Sequence, residues 1–379
     1  MSKSSLALYI HWPFCKIKCP YCDFNSYKRE KVNQSHWIEA YLKTLELWSS
    51  RLKQRKISSI FFGGGTPSLL DPHFVGCVLQ KTDNLWGISS GCEVTIEANP
   101  NSVSDIKFKV LRNIGINRVS VGVQALNNKD LNNLGRDHDK NQAIEALQIV
   151  EKRFKNYNLD FIYGRQYQST SEWNDELCKI IALQAPHLSL YQLTIEENTN
   201  FYKLFKKDLL KGIPTDNTTS EMFDVTKKLC ENGGYKQYET SNFARKGFKC
   251  RHNLSYWKYN DYLGIGPGAH GRIKILGKSY ATEEERNPDI WLRKTLSSNP
   301  STPKITAIEP RVVFEEKLIM NLRISENIPI SIFDYEKLHP VVIDLEENNL
   351  IKLKSNQIVM TKRGAKMLDH IARSLIDCY

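Results

Sequence analysis

Three cysteines lie within eight residues near the start of the chain, and their spacing suits a metal cluster. Cys15, Cys19 and Cys22 follow a C-x3-C-x2-C pattern in one short segment. A [4Fe–4S] cube needs a ligand on each of its four irons, so three thiolates hold three irons and leave the fourth open. An open iron can bind a cosubstrate, and such a low-potential cluster suits one-electron reduction of S-adenosylmethionine (SAM).

The alternative interpretations are ordinary thiols and a zinc site. The remaining cysteines are scattered along the chain without pairing: Cys77, Cys92, Cys178, Cys230, Cys250 and Cys378. A zinc site usually takes a second pair of ligands from further along the chain, and these scattered residues do not form one. The clustering of three cysteines therefore favours an iron–sulfur cluster.

Other polar groups stand at or near the ends of apolar runs. Each of them, Glu97, Gln124, Arg136 and Asp160, is when taken alone more typical of a solvated strand end than of a binding site. Together they suit SAM: Arg136 for its carboxylate, Glu97 for its ammonium, and Gln124 with Asp160 for the ribose hydroxyls. The glycine run at 63–67 alone would predict a tight turn. Beside a cluster loop, it is suited to holding the amino group of SAM.

The elements that must position these groups alternate between short apolar runs and longer amphipathic segments. We predict strands at 6–10, 57–62, 92–97, 118–123, 159–162 and 188–193. We predict helices between them at 35–55, 141–153 and 171–183. Strands separated by helices predict an α/β fold with a parallel sheet, here a TIM-like barrel, complete or partial. Function in such barrels gathers at the C-terminal ends of the strands, where the cysteine and glycine loops fall.

The chain divides into three predicted parts. Residues 1–235 form the barrel core, 236–304 a connecting region rich in Gly, Tyr, Asn and Trp, and 305–379 a small C-terminal module. In the module we predict helices at 311–321 and 336–349 and a hairpin at 350–360. A last helix, capped by Thr361, is predicted to run to 376. This order resembles a winged helix.

Composition bears on the ligands and the cellular location that we predict for the protein. The net charge of +11 suits nucleic acid, an anionic membrane surface or an acidic ligand such as a tetrapyrrole carboxylate. The lysines at 203, 206, 207 and 211 are more typical of a solvated face than of a nucleic-acid footprint. An odd cysteine number, no signal-peptide pattern and no apolar run near ~20 residues predict a cytoplasmic protein.

Longer motifs give the chain a family resemblance. It resembles radical SAM proteins of the oxygen-independent coproporphyrinogen III oxidase group, and most closely that group's heme-chaperone branch. The resemblance runs nearly end to end. Its marks are Tyr-Ile-His-Trp-Pro-Phe-Cys at 9–15, Cys-Pro-Tyr-Cys-Asp-Phe at 19–24, Gly-Gly-Gly-Thr-Pro at 63–67, Glu-Ala-Asn-Pro at 97–100, Arg-Val-Ser-Val-Gly-Val-Gln at 118–124, Leu-Gly-Arg at 134–136, Ser-Leu-Tyr-Gln-Leu at 189–193 and His-Asn-Leu-Ser-Tyr-Trp at 252–257.

The resemblance implies a radical SAM barrel with a C-terminal accessory domain. It implies that the three clustered cysteines hold a [4Fe–4S] cluster. It also implies a set of SAM contacts, namely Tyr9, Tyr21, Gly64, Gly65, Thr66, Glu97, Gln124, Arg136 and Asp160.

Two features separate the branches of this group. The oxidases carry a further cysteine two residues after the third cluster ligand, and this chain has Phe24 there. The His252 motif is the heme-associated signature of the chaperone branch, with Tyr256 and Trp257 to pack on the macrocycle. An imidazole can ligate heme iron. A lone histidine in a loop is otherwise more often a satisfied polar residue. Cys250 is a rival ligand and His270 a reserve one.

The chain departs from the family after Gly164. Relatives usually continue Leu-Pro-Gly-Gln, whereas here the segment begins with Arg165 and ends with Gln168. That change bears on the barrel mouth near Asp160.

We therefore predict a heme chaperone that binds a cluster, SAM and heme and delivers heme to a client such as a respiratory hemoprotein, with transient membrane association. The alternative is a coproporphyrinogen III oxidase of porphyrin biosynthesis, which decarboxylates its substrate to protoporphyrinogen IX. Nucleic-acid binding by the C-terminal module is the third and least supported possibility.

Overall fold

The computed structural model describes residues 4–298, 303–324, 328–329 and 335–378. Part of the predicted boundary between connecting region and C-terminal module, residues 299–302, lies outside them. Strands are numbered in chain order: β1 Ser4–Trp12, β2 Phe14–Cys15, β3 Tyr27–Lys28, β4 Arg55–Gly64, β5 Ile88–Ala98, β6 Arg118–Gln124, β7 Asn156–Tyr163, β8 His187–Gln192, β9 Lys236–Gln237, β10 Asn242–Ala244, β11 Tyr262–Ile265, β12 His270–Ile275, β13 Lys278–Glu283, β14 Lys304–Ala307, β15 Ile328–Pro329, β16 Ile351–Lys354 and β17 Gln357–Met360.

Helices separate the long strands, as the sequence predicts. They are α1 Gln34–Arg51, α2 Pro72–Trp86, α3 Asp105–Asn113, α4 Asn128–Asn133, α5 Lys140–Arg153, α6 Thr170–Ala182, α7 Asn200–Lys206, α8 Asp216–Asn232, α9 Arg251–Trp257, α10 Pro288–Leu296, α11 Pro310–Leu322, α12 Tyr335–Glu347 and α13 Leu368–Asp377. N-terminal capping residues fix where several of these helices begin. Asp139 and Ser169 form capping boxes with Gln142 and Glu172, which fix the first turns of α5 and α6.

The main sheet confirms the predicted α/β barrel and shows that it is partial. Strands β1, β4, β5, β6, β7 and β8 lie side by side and parallel. Within the described residues β8 pairs onward with β10 and not with β1, so the barrel stays open. The C-terminal ends of the six strands share one edge, which is where the candidate site lies.

The two faces of the barrel strands differ in polarity. On β5, Val94 and Ile96 belong to the hydrophobic core under the helices, whereas Glu93, Thr95 and Glu97 alternate with them and point to the barrel interior. The same alternation on β6 puts Val119, Val121 and Val123 in the core. The apolar layer between strands and helices holds the fold, so the interior can carry many polar side chains.

The segment 236–304, predicted as a connecting region, extends this sheet. Strand β11 pairs parallel to β1, and β12, β13 and β14 follow as antiparallel neighbours. Helix α9, which carries the His252 motif, lies at the N-terminal end of the barrel strands. There the Glu93 carboxylate accepts the backbone N–H groups of Arg251 and His252, each at 3.2 Å.

The C-terminal module has its own hydrophobic core. Helices α11, α12 and α13 pack against a small antiparallel sheet of β15, β17 and β16, and their apolar side chains form a cluster separate from the barrel core. One predicted detail is wrong. Helix α13 begins at Leu368 after a 3-10 turn at Gly364–Lys366 and is not capped by Thr361. The Thr361 hydroxyl instead accepts the N–H of Gly364 at 2.9 Å, ahead of that turn.

Among the described residues, no α-helix combines the length and the hydrophobicity that a transmembrane segment needs.

Candidate functional site

A cavity of about 390 Å³ opens at the C-terminal edge of the barrel strands. All three clustered cysteines line it, together with eight of the nine predicted SAM contacts. Those eight are Tyr21, Gly64, Gly65, Thr66, Glu97, Gln124, Arg136 and Asp160. The predicted residues come from six separate segments of the chain, and the fold brings them to one space. Tyr9 is the predicted SAM contact that does not line it.

The cysteine loop is held by short backbone pairings. Phe14 and Cys15 form β2 and pair with Tyr27 and Lys28 of β3, so the loop closes on itself. Inside it, the N–H of Cys22 donates to the carbonyl of Cys19 at 3.1 Å, a tight turn that brings those two thiols to the same side. All three cysteines are free of disulfides.

The three free cysteines that line the cavity suit a polynuclear cluster. Ligands of a cube bind separate irons, so they surround a larger space. Burial raises the pKa of Cys15 to about 11 and also raises the pKa of Cys22. These thiolates therefore need a positive partner, which cluster iron would supply.

The glycine loop after β4 is clipped to the cysteine loop. Gly65 N–H donates to Trp12 O at 2.6 Å, and Thr66 N–H donates to Phe14 O at 2.9 Å. Gly64 has φ +112°, and a Cβ there would lie 2.6 Å from the His11 ring. Glycine is therefore required at this position both for its backbone angle and for its lack of a side chain.

Two carboxylates face the cavity from neighbouring parts of the sheet. Glu97 accepts the N–H of Gly64 at 3.0 Å, which ties the end of β5 to the glycine loop. Loss of water raises the pKa of Glu97 to about 8, and the nearby charge of Asp160 adds to the shift. Burial also raises the pKa of Asp160, which accepts from Ser120 at 3.1 Å and Asn158 at 2.7 Å. Carboxylates short of solvent are suited to an ammonium or to hydroxyl groups.

Arg136 connects the cluster loop to the cavity wall. Its guanidinium donates to Cys19 Sγ at 3.4 Å, to Asn99 Oδ1 at 2.9 Å and to Gly122 O at 3.1 Å. Among the residues that the structure describes, the buried Nε of Arg136 has no hydrogen-bond partner. Charge from Tyr21 and Cys19 raises the pKa of Arg136 despite its burial, so it stays cationic. It suits a carboxylate bound beside the cluster.

Asn99 is a site residue that sequence reasoning left without a role. Its amide accepts from Arg136 and donates to Asp137 Oδ1 at 2.8 Å, so it orients both cavity-lining residues. The Glu-Ala-Asn-Pro motif contained the signal, because Asn99 stands two positions after Glu97.

Gln124 ends β6 in an unusual conformation. Its φ is +70°, and the β6–β7 register shifts between Gly122 and Gln124. Bulges of this type redirect side chains next to functional sites. Gln124 lines the cavity here.

Tyr9 and His252 lie together in the barrel interior, below the cavity. Tyr9 donates to His11 Nδ1 at 3.0 Å, and its ring centroid is 6.3 Å from that of His252. The His252 ring stacks on Phe61 at 5.1 Å, and its Nδ1 lies 3.1 Å from Ser59 Oγ. His252 is only 4% exposed. The structure thus places the predicted heme ligand inside the barrel and not among the residues that line the cavity.

The surroundings of His252 keep it neutral. Burial and the charge of Arg118 lower its pKa to about 3. The rival ligand Cys250 is fully buried, donates to Glu93 Oε1 at 3.3 Å, and has a pKa that burial raises to about 12. A buried, protonated thiol is typical of a structural cysteine. The reserve ligand His270, by contrast, is exposed at the start of β12.

Comparison with known proteins agrees with this geometry. Residues 9–177 match the family model described as the radical SAM superfamily. The chain is 35% identical over 327 residues to "Radical S-adenosyl methionine domain-containing protein 1, mitochondrial" of Danio rerio, a match covering 85% of this chain and 73% of that protein. It is 39% identical over 308 residues to "Heme chaperone HemW" of Haemophilus influenzae, covering 79% of each.

A solved structure supports the fold. Coproporphyrinogen III oxidase (HemN) from Escherichia coli, described as a radical SAM enzyme, superimposes with a TM-score of 0.81, covering 99% of this chain and 91% of that one. The sequence identity is 18%, so this likeness concerns architecture.

Proposed function

The chain belongs to the radical SAM superfamily, and on that basis we propose that it is a heme chaperone that binds a [4Fe–4S] cluster, SAM and heme. The observation that carries the cluster and SAM part is the single cavity lined by three cysteines and eight predicted SAM contacts. Cys15, Cys19 and Cys22 would hold the cluster. When bound, it would supply an electron to SAM.

Each polar group of the cavity has a task in this proposal. Arg136 binds the SAM carboxylate close to Cys19, and Glu97 receives the ammonium beside the glycine loop. Asp160 and Gln124, on the neighbouring strands β7 and β6, bind the ribose hydroxyls. The cationic Arg136, between α4 and α5, and the carboxyl groups of Glu97 on β5 and Asp160 on β7 lie on different segments of the chain, which suits a zwitterionic ligand with a polar sugar.

The heme part of the proposal depends on relatives and on two positions of this chain. Relatives near 39% identity carry the name heme chaperone HemW. Phe24 stands where the resembled oxidases have a cysteine, and it is 57% exposed at the cavity rim. His252 remains the predicted heme ligand. Because it is buried against Ser59 and Phe61, a porphyrin reaches it only if helix α9 moves away from the barrel end.

Hemin titration of the anaerobically reconstituted protein tests this proposal. We expect wild type to bind hemin with a Soret band that His252→Ala alters, with affinity reduced by about tenfold or more. His270→Ala is the matched control, since it removes an exposed imidazole, and we expect it to bind as wild type does. Unchanged affinity and Soret spectrum in His252→Ala would contradict the assignment of the ligand.

A turnover assay distinguishes the oxidase alternative from the heme-chaperone proposal. The reconstituted protein is incubated anaerobically with SAM, reductant and coproporphyrinogen III. We expect no protoporphyrinogen IX. Its formation over several turnovers would overturn the chaperone proposal and assign the oxidative decarboxylation to this chain. Delivery to a respiratory client, contact with a membrane and a cytoplasmic location also remain proposals.

A further inference from the structure

A buried ionic cluster lies behind the wall of the SAM cavity. Arg165 follows β7 and its side chain is 3% exposed. Its guanidinium pairs with Asp130 Oδ2 at 2.7 Å and with the Glu176 carboxylate, which are 16% and 9% exposed. We call Arg165, Asp130 and Glu176 the Arg165 clamp. None of the three residues is among those lining the cavity.

The clamp holds the backbone of two cavity-lining segments. Arg165 Nη1 donates to Ile162 O at 2.6 Å and, more weakly, to Gln124 O at 3.4 Å. The second oxygen of Glu176 accepts the N–H of Leu126 at 2.7 Å. Ile162 and Gln124 both line the cavity. The clamp therefore fixes the end of β7 and both sides of the turn that follows β6.

Gln124 is the residue that most needs such support. A φ of +70° is unfavourable for a residue with a side chain, and the strand register breaks at this point. Strained residues of this kind persist only where surrounding structure over-determines them. The hydrogen bonds to Gln124 O and to Leu126 N–H come from opposite members of one ion pair, so they restrain the peptide groups on both sides of Ala125.

Stability alone does not account for the clamp. Three charged groups are taken out of water there, and apolar side chains of similar volume often stabilise a protein equally well or better than a buried ion pair. A guanidinium differs in offering a rigid fork that can bind two carboxylates and two carbonyls at once. We propose, on the premise that the cavity binds SAM, that Arg165 is a positioning residue that acts on the ribose subsite through Gln124.

A double-mutant cycle on SAM affinity tests this inference. Four cluster-reconstituted proteins are compared: wild type, Arg165→Met, Gln124→Ala and the double variant. The dissociation constant is measured from the SAM-induced change in the electron paramagnetic resonance spectrum of the reduced cluster. We expect Arg165→Met to weaken SAM binding by about tenfold in the wild-type background and by less than about twofold in the Gln124→Ala background. Additive losses would overturn the inference.

Further variants keep the test decisive. Arg165→Met leaves two carboxylates unpaired and can fail to fold, so Arg165→Lys, which keeps the charge without the fork, is measured too, and we expect weakened SAM binding. Arg153→Met is the control, since it breaks the Arg153–Asp105 ion pair between α5 and α3, and we expect unchanged SAM affinity. If wild type itself binds no SAM, the proposed function fails. If wild type and Arg165→Lys bind SAM equally, only the role of Arg165 fails.

Discussion

The carboxyl group of Glu97 is buried in the cavity, where its ionised form is unfavourable. Glu97 and Asp160 line the same partly closed cavity, and both carboxyl groups have little contact with water. Glu97 accepts a hydrogen bond from the N–H of Gly64, but this bond does not offset the loss of water, so the pKa of Glu97 rises to about 8. An incoming ammonium would reverse that balance by favouring the ionised acid.

The raised pKa of Glu97 predicts a specific pH dependence of stability. A folded pKa of about 8 lies above the ordinary value of 4.5, so the folded state binds the proton more tightly than the unfolded state. This contribution to stability is complete below pH 4.5 and is lost as the pH rises towards 8. Glu97→Gln removes it, and we expect the variant to gain about 2–4 °C in Tm relative to wild type between pH 5 and pH 8.

Thermal unfolding of the protein without SAM, followed across this pH range, is the measurement. Glu196→Gln is the matched control, because Glu196 lines the same cavity but is exposed. Parallel Tm profiles for wild type and Glu97→Gln would show that Glu97 is not held protonated in the folded protein.

At the scale of elements, the polar interior of the barrel forms one hydrogen-bonded chain. The two amide hydrogens of Asn158 on β7 are shared among three acceptors, Asp160 Oδ1 at 2.7 Å, Ser120 Oγ at 2.7 Å and Ser189 Oγ at 2.8 Å from its Nδ2. Its amide oxygen accepts from His187 Nδ1 at 2.6 Å. His187 is neutral because burial lowers its pKa, so its Nε2 accepts from Tyr238 at 2.8 Å.

The same chain continues to the end of the barrel opposite the cavity. The hydroxyl oxygen of Tyr238 accepts the N–H of Cys250 at 3.2 Å, one residue before helix α9. Contacts thus run without a break from Asp160, at the cavity, to the helix that carries His252. Networks of this kind are stable only when nearly every member is paired.

Asn158 is the central member, and its loss should be costly. Asn158→Ala leaves four buried partners short of a hydrogen bond, so we expect the free energy of unfolding to fall by about 2–4 kcal/mol. Asn156→Ala is the matched control, because Asn156 occupies the preceding inward position of β7 and its Oδ1 has no partner. We expect that variant to lose under about 1 kcal/mol in the same chemical denaturation experiment. Similar losses for both variants would mean that the network contributes nothing beyond ordinary packing.

Sequence patterns predict part of this arrangement. The short apolar runs separated by amphipathic segments predict the strands, the helices between them and the edge of the sheet where the site lies, because those signals are local. The Arg136 contact with Cys19 and the position of α9 under the barrel join residues more than 100 positions apart. No local pattern encodes such contacts. Sequence reasoning therefore identified His252 as a residue of interest but did not predict its burial.

At the scale of the whole molecule, the C-terminal module attaches at the end of the barrel away from the cavity. Glu316 on α11 accepts two hydrogen bonds from Arg272, at 2.8 and 2.9 Å, and one from Tyr259 at 2.6 Å. Arg272 pairs with Tyr262, which lies level with Ala7 near the start of β1. Hydrogen bonding to Arg272 lowers the pKa of Glu316, so this anchor weakens only in acid, as the pH falls through that depressed pKa.

Glu316→Gln should therefore loosen the module without disturbing the cavity. The bidentate ion pair is partly buried, and we expect its loss to cost about 1–2 kcal/mol, seen as roughly five- to thirtyfold faster hydrogen exchange in α11 at neutral pH. Glu315→Gln on the same helix removes only an exposed pair with Arg311 and should leave exchange nearly unchanged. SAM affinity should match wild type in both variants, because the anchor and the cavity occupy opposite ends of the barrel. A Glu316→Gln protein with weakened SAM binding would show instead that the module and the cavity are coupled through α9 and the interior network.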